Sequence, residues 1–319
     1  MSKRCKALVA IIACVFFWGF SFISIKIAVA VIPPMSLGAL RFAIALVFLF
    51  FIKKKLAPEE KIRKEDIFLL AGAGLTGVTL YFYFENNGVA LIPASEASII
   101  TAVIPILTLI AERAGEKISS LRKGRQDLQL NEAGKAAARK KYFLYKIILP
   151  GTGAVISLCG VGLVAGVGLA LAFSGTATGY LFMAGACFSW VAYCFLTRPL
   201  FASHSRIFIV FWQSLIGFVG FLPFIFLEPS WQMPDLNVWA HVIFLGIFCS
   251  ALGYWLYAIA LKDLGVGTAA LFINFIHVVS AIGGFFVLGE RLLPLQWLGA
   301  ALVLAGVYLA MLVPDSRVK

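Results

Sequence analysis

The sequence is short of charge. Of its 319 residues, 13% are Asp, Glu, Lys or Arg, whereas a soluble globular chain carries about 25%. A soluble sphere of this length cannot cover its surface with so few charged groups. Disordered chains are excluded by the opposite count, since 61% of the residues are hydrophobic. Cysteine is sparse and unpatterned: Cys5, Cys14, Cys159, Cys187, Cys194 and Cys249 form no CxxC pair, and five of them lie inside apolar runs. They read as small core hydrophobes rather than a disulfide frame or a zinc site. There is no HExxH, no P-loop, no GxGxxG after a strand and no Ser–His pair at suggestive spacing, so enzyme chemistry is not expected. No cofactor and no metal are expected either. A soluble domain large enough to drive an ATP-powered pump is lacking as well.

What is present is apolar length. Mean hydropathy is +0.97, and ten runs come close to the roughly 20 apolar residues that a spanning helix needs. They fall near 7–31, 36–52, 67–86, 95–111, 147–172, 177–197, 207–227, 238–260, 267–288 and 294–313. Turn chemistry separates them at Pro33-Pro34, Lys53-Lys54-Lys55, Ile92-Pro93, Ser174-Gly175, Pro229-Ser230 and Gly265. The runs are continuous rather than alternating, which argues against a membrane barrel. The first is too long for a signal peptide, although Ala28-Val29-Ala30 imitates a cleavage site. The expected fold is therefore all-α: a polytopic membrane protein of ten transmembrane helices.

The formal net charge of +12 would suggest a nucleic-acid partner on a soluble domain. Here it reports orientation instead. With the N-terminus in the cytoplasm, inner segments hold 24 of the 27 Lys and Arg and outer segments hold Arg291 alone, while Lys26 and Arg41 lie within spans. Positive-inside sorting predicts a multi-pass protein of the cell (inner) membrane with both termini cytoplasmic. Its partners would be the lipid bilayer and a small-molecule substrate, with no nucleic acid.

The two halves resemble each other. Trp18 matches Trp190 at an offset of 172, and Tyr81-Phe82-Tyr83-Phe84 matches Tyr254-Trp255-Leu256-Tyr257 at 173. Gly153 and Gly160-Val161 match Gly299 and Gly306-Val307 at only 146. Five spans are thus repeated, and 26 extra residues sit in the first copy between spans four and five. An odd number of spans turns the second copy over, and inverted repeats with a midplane site are a transporter signature. The expected domains are 1–173 and 174–319, each a five-helix repeat, with a basic cytoplasmic insertion at about 115–146. That insertion carries Arg122-Lys123-Gly124-Arg125 and Arg139-Lys140-Lys141, and Asn131–Ile148 has the pattern of a basic helix. Two roles are open to it: a contact with anionic inner-leaflet lipid or the cytoplasmic mouth, or a solvated loop that sets topology.

Several pieces in order resemble the ten-helix, EamA-like branch of the drug/metabolite transporter superfamily. They are Trp18-Gly19-Phe20-Ser21-Phe22, Leu40-Arg41-Phe42, Pro105, Ser189-Trp190 through Arg198-Pro199, and Gly289-Glu290-Arg291. The resemblance covers nearly the whole chain. It implies two inverted halves around a central cavity, alternating access, and export of amino acids, other metabolites or drugs. One departure stands out: the family joins spans four and five by a tight turn, and here Gly115-Glu116-Lys117 leads into the insertion.

Candidate substrate-binding residues share helical faces. Trp18 and Ser21, with Phe22, are spaced i, i+3, i+4, and Trp190, Tyr193 and Cys194 repeat that spacing in the second half. Tyr254 and Tyr257 share a face, with Tyr81 the partner of Tyr254; Asn274 and His277 share another, with Thr101 near the equivalent of Asn274. These faces either meet in a pocket of aromatic walls and polar anchors or pack helices and form interfacial belts. His277 is either a proton carrier or a neutral hydrogen-bonding group. Lys26, Arg41, Glu85 and Glu96 are expected either to pair as an outer gate or to sit at headgroup depth. Spans one and six carry no mid-span carboxylate, which disfavours proton exchange against organic cations. Gly162-x-x-x-Gly166 permits close helix approach, within the fold or in a homodimer. The expected function is a secondary transporter that exports small metabolites such as amino acids. The alternatives are a lipid flippase and a non-transporting receptor or assembly protein.

Overall fold

The structure, a computed structural model, describes residues 3–108, 110–111, 148–170, 176–264, 269 and 272–311. The basic insertion at 115–146 and the Gly115-Glu116-Lys117 signature lie outside these residues, as does all but the last residue of the expected Asn131–Ile148 helix. Every described regular element is helical. A chain of apolar side chains in lipid has to satisfy its backbone internally, and helices do so within one segment.

In chain order the elements are α1 (Lys3–Val29), α2 (Pro34–Leu56), α3 (Lys64–Leu91), α4 (Ala94–Thr108), α5 (Leu149–Ala170), α6 (Thr176–Thr197), α7 (Arg206–Ile225), α8 (236–264), α9 (Phe275–Leu288) and α10 (Pro294–Met311). Among the described residues, six helical segments are long and apolar enough to cross a membrane: those of α1, α2, α3, α6, α7 and α8. α4, α5, α9 and α10 contain shorter apolar helices of 10–17 residues.

Two compact units emerge. The first comprises Met1–Thr101 and Gly168–Leu292; the second comprises Ala102–Val167 and Leu293–Lys319. In the first, α1 packs on α8, α3 on α6, α2 on α7 and α4 on α9. Its core gathers Met35, Phe42, Val78, Tyr81, Phe82 and Phe221. In the second unit, α5 and α10 approach closely through glycine. A Cβ on Gly160 would lie 2.6 Å from the Gly299 carbonyl oxygen, and one on Gly306 2.5 Å from that of Gly153. Ser157 donates across the same seam to the Val303 carbonyl at 2.8 Å. The close approach therefore runs through Gly153 and Gly160, whereas Gly162 of the expected GxxxG motif meets nothing within 4 Å.

Helix ends are set by carboxylates from distant segments. The N-terminus of a helix exposes unbonded N–H groups and a partial positive charge, which suit an anion. Glu228, just after α7, accepts from Met35 N at 2.6 Å, Ser36 N at 2.8 Å and Ser36 Oγ at 2.8 Å, closing the start of α2. Glu60, just after α2, accepts from Ser205 N at 2.7 Å and Ser205 Oγ at 2.5 Å, closing the start of α7. Glu290 does the same for α4 through Ala94 N (2.7 Å), Ser95 N (3.0 Å) and Ser95 Oγ (2.5 Å). Gly289, at φ +69°, ends α9 in the left-handed conformation that glycine adopts without strain, and so turns Glu290 toward α4.

Two helices loosen before their aromatic clusters. A π-type turn covers Leu75–Leu80 in α3, directly before Tyr81. Another covers Leu245–Leu252 in α8, directly before Gly253 and Tyr254. Such bulges frequently mark functional sites.

Candidate functional site

The expected aromatic residues come together within the first unit. Trp18 of α1 lies 5.5 Å from Tyr254 and 5.3 Å from Tyr257 of α8, ring centre to ring centre. Trp190 of α6 lies 4.8 Å from Tyr81 of α3 and 4.9 Å from Tyr193. Trp190 and Tyr254, 6.5 Å apart, join the two groups. One continuous aromatic chain thus runs from α1 through α8 and α6 to α3.

The π-type turns feed this chain with hydrogen-bond acceptors. Trp18 Nε1 donates to the Cys249 carbonyl at 2.9 Å, inside the α8 turn. Ser189, beside Trp190, donates to the Thr76 carbonyl at 2.7 Å, inside the α3 turn. Thr76 and Cys249 stand 173 residues apart, the offset that relates Tyr81 to Tyr254. Buried indole and hydroxyl donors need such partners, and the looser turns supply them.

The other expected residues take definite places. Ser21 is buried and donates to the Trp18 carbonyl of its own helix at 2.7 Å. Thr101 donates to the Ser98 carbonyl at 2.7 Å. His277 is buried, its Nδ1 3.0 Å from Ser98 Oγ, so α9 and α4 meet through that pair. Asn274 is half-buried, one turn before His277. Tyr193 donates to Gln213 Oε1 at 3.4 Å, and Gln213 donates from Nε2 to Thr197 Oγ1 at 2.9 Å.

Partners of the four expected gating charges are found among the described residues. Lys26 donates to the carbonyls of Val89 (2.8 Å), Ala90 (3.2 Å) and Ile92 (2.9 Å), a cation at the C-terminal, partly negative end of α3. Glu96 accepts from the Tyr180 hydroxyl. Arg41 and Glu85 are both buried, at 3% and 4% exposure. Arg41 Nε donates to Ser250 Oγ at 3.0 Å, and Glu85 Oε1 accepts from the Tyr81 hydroxyl at 2.7 Å.

Sequence reasoning missed Ser250, Gln213, Ser98 and the capping role of Glu228. Each acts on a partner far away in the chain, Gln213 on Thr197 excepted. A detectable signal did exist for the caps, because Pro34-Met35-Ser36 and Pro93-Ala94-Ser95 both set a Pro and then a Ser at a helix start. A small cavity beside the aromatic chain is lined by Phe42, Gly77, Val78, Tyr193, Val210, Gln213, Ser214 and Tyr254. It has room for about one water and none for a metabolite.

A second cluster lies off the aromatic chain. His204, stacked on Phe208 at 4.5 Å, places Nδ1 3.0 Å from Glu60 and Nε2 3.0 Å from Asp66. Burial alone would raise the Glu60 pKa. Hydrogen bonds from the Ser205 side chain and backbone and from His204 outweigh it and hold Glu60 below its ordinary value.

A set of apolar helices that carry a chain of aromatic side chains with polar anchors defines a multi-pass membrane protein of the carrier type. The sequence pattern of the EamA-like transporter family matches residues 6–122 and 177–312, and the chain belongs to that family. It is a transporter and not an enzyme. Among relatives, an uncharacterized transporter of Archaeoglobus fulgidus is 25% identical, over 92% of this chain and 94% of that protein. A protein of Streptantibioticus cattleyicolor named "probable terminal-alkyne amino-acid exporter" is 25% identical, over 96% and 94%. One of Escherichia coli named "probable amino-acid metabolite efflux pump" is 26% identical, over 97% and 95%. A solved crystal structure at 20% identity shares the fold with a TM-score of 0.61, covering 98% of this chain and 99% of that one.

Proposed function

We propose that the protein exports small amino-acid-like metabolites across the inner membrane. It does so as a secondary carrier whose ten spans form two inverted five-helix repeats, with both termini cytoplasmic. The observation that carries this reading is the swapped pairing of the aromatic residues. Trp18 and Tyr254 correspond by position to Trp190 and Tyr81, and each Trp contacts the Tyr of the other half, at 5.5 and 4.8 Å. A two-fold arrangement requires such reciprocal contacts.

Three further observations support the inverted repeat. Glu228 after α7 caps α2, while Glu60 after α2 caps α7. Gly153 meets Gly306 and Gly160 meets Gly299, crosswise to the sequence match. The carbonyls that accept from α1 and α6 are 173 residues apart. Inverted halves that rock around a fixed centre give alternating access, and parting the aromatic rings would admit a solute between them. Relatives named as amino-acid exporters support the substrate class.

The test is counterflow in proteoliposomes loaded with a panel of unlabelled amino acids, sugars and organic cations. Exchange of at least one labelled amino acid is expected. Folded protein that exchanges no solute would overturn the reading.

A further inference from the structure

Arg41 is buried without its charge being answered. Its Nε is held by Ser250, and its guanidinium carbon sits 4.2 Å from the centre of the Phe82 ring. Nη1 is fully buried and has no hydrogen-bond partner among the described residues. No carboxylate there lies within 4.0 Å of it either. A guanidinium withdrawn from water with one of its nitrogens unmet is costly, and the bilayer interior makes it costlier.

A carboxylate is nearby at the same depth. Arg41 lies seven residues inside the start of α2, and Glu85 six residues inside the end of α3, in both cases about 10 Å along the helix. Phe82, on which Arg41 stacks, is i−3 to Glu85, so both share one face of α3. Glu85 spends Oε1 on Tyr81, whose ring packs against Trp190. A guanidinium and a carboxyl group therefore lie beside the aromatic chain at one level.

The fold does not require this pair. At the matching places of the second half, offsets of 172 and 173, stand Gln213 and Ala258. Gln213 is as buried as Arg41, and its side chain is paired to Thr197 and Tyr193. The second copy thus builds its counterpart without charge.

We infer that Arg41 and Glu85 are the substrate's polar anchors and that the substrate is a zwitterionic α-amino acid. Its carboxylate is bound at Nη1 of Arg41, its ammonium at Glu85, and its side chain lies among Tyr81, Trp190 and Tyr254. The inference rests on the carrier reading above and deepens it. A guanidinium matches a carboxylate in geometry and charge, and binding would settle both buried charges together.

The experiment compares probes on unaltered, full-length protein in proteoliposomes. Labelled L-phenylalanine, L-leucine and L-threonine are each paired with the methyl ester, the decarboxylated amine and the desamino acid. Counterflow of at least one amino acid is expected, with each of its three analogues reduced roughly ten- to hundredfold, the usual weight of a charged hydrogen-bonding group. Arg41→Gln should lose the amino acid by a similar factor, and Arg41→Lys should restore part of it. Ester or amine exchanging as well as the amino acid would overturn the anchor assignment while leaving the carrier reading intact. So would an Arg41→Gln protein that folds and keeps full amino-acid counterflow. Absence of exchange for every probe by folded protein would overturn the amino-acid reading itself. Should Arg41→Gln fail to fold, the analogue series on the natural protein still decides.

Discussion

Two corners of the first unit share one plan and differ in charge. In one, Trp190 of α6 leans on Tyr81 of α3; in the other, Trp18 of α1 leans on Tyr254 of α8. In each, a π-type turn lends a carbonyl to the neighbouring Trp-bearing helix. Glu85 bonds Tyr81 of the first corner, and Arg41 spans both, stacked on Phe82 next to Tyr81 and bonded to Ser250 in the α8 turn; the positions that match them by offset hold Gln213 and Ala258. On the proposed repeat, shared features belong to the architecture, because both copies would have to fold. A feature confined to one copy, and expensive to bury, is better explained by what the protein handles.

The largest effects should come from the shared plan. Trp18→Ala and Trp190→Ala each remove a half-buried indole from the aromatic chain, and truncations of this kind cost about 3–5 kcal/mol when the site is fully buried. Both variants should abolish ligand-induced thermal stabilisation, and neither corner should tolerate the loss better than the other. Trp190→Ala with an undiminished ligand shift would break the equivalence of the corners. The glycine seam comes next. Gly160→Leu and Gly306→Leu drive a side chain into a facing carbonyl, an overpacking cost of about 1–3 kcal/mol. Gly162→Leu, with nothing within 4 Å, should melt like the natural protein in detergent.

Smaller effects are expected at the reciprocal caps. Glu228→Gln and Glu60→Gln should each lower stability by about 0.5–2 kcal/mol, as lost N-caps do, seen as matched drops in melting temperature. The Glu60 cap also carries a pH signature. Its folded-state pKa lies below the ordinary 4.5, so its stabilisation is fully present above that value and fades as the pH falls below it. Hydrogen exchange at Ser205 and Phe208 should accelerate there in the natural protein and not in Glu60→Gln. An identical pH response in the two proteins would sever the link to Glu60.

Much of the fold was legible because the bilayer imposes one element type and one length scale. The expected runs 36–52 and 207–227 became Pro34–Leu56 and Arg206–Ile225. Their starts are capped by Glu228 and Glu60 from other segments, and a local pattern carries no record of such partners. The aromatic chain was legible through the offset between Trp18 and Trp190. Arg41 and Glu85 were legible as intramembrane charges but not as buried ones. Their depth depends on Phe82, Ser250 and Tyr81 closing over them, which hydropathy does not encode. The packing glycines Gly153 and Gly160 were visible as repeat matches, while the nearer motif at Gly162 drew the structural reading away from them.

The most direct test of the contrast between the corners is amino-acid counterflow measured side by side in Arg41→Gln and Gln213→Leu, with melting temperatures matched. The account predicts a loss of roughly ten- to hundredfold for Arg41→Gln and at most a few-fold loss for Gln213→Leu. Equal losses, or full activity in Arg41→Gln, would contradict it.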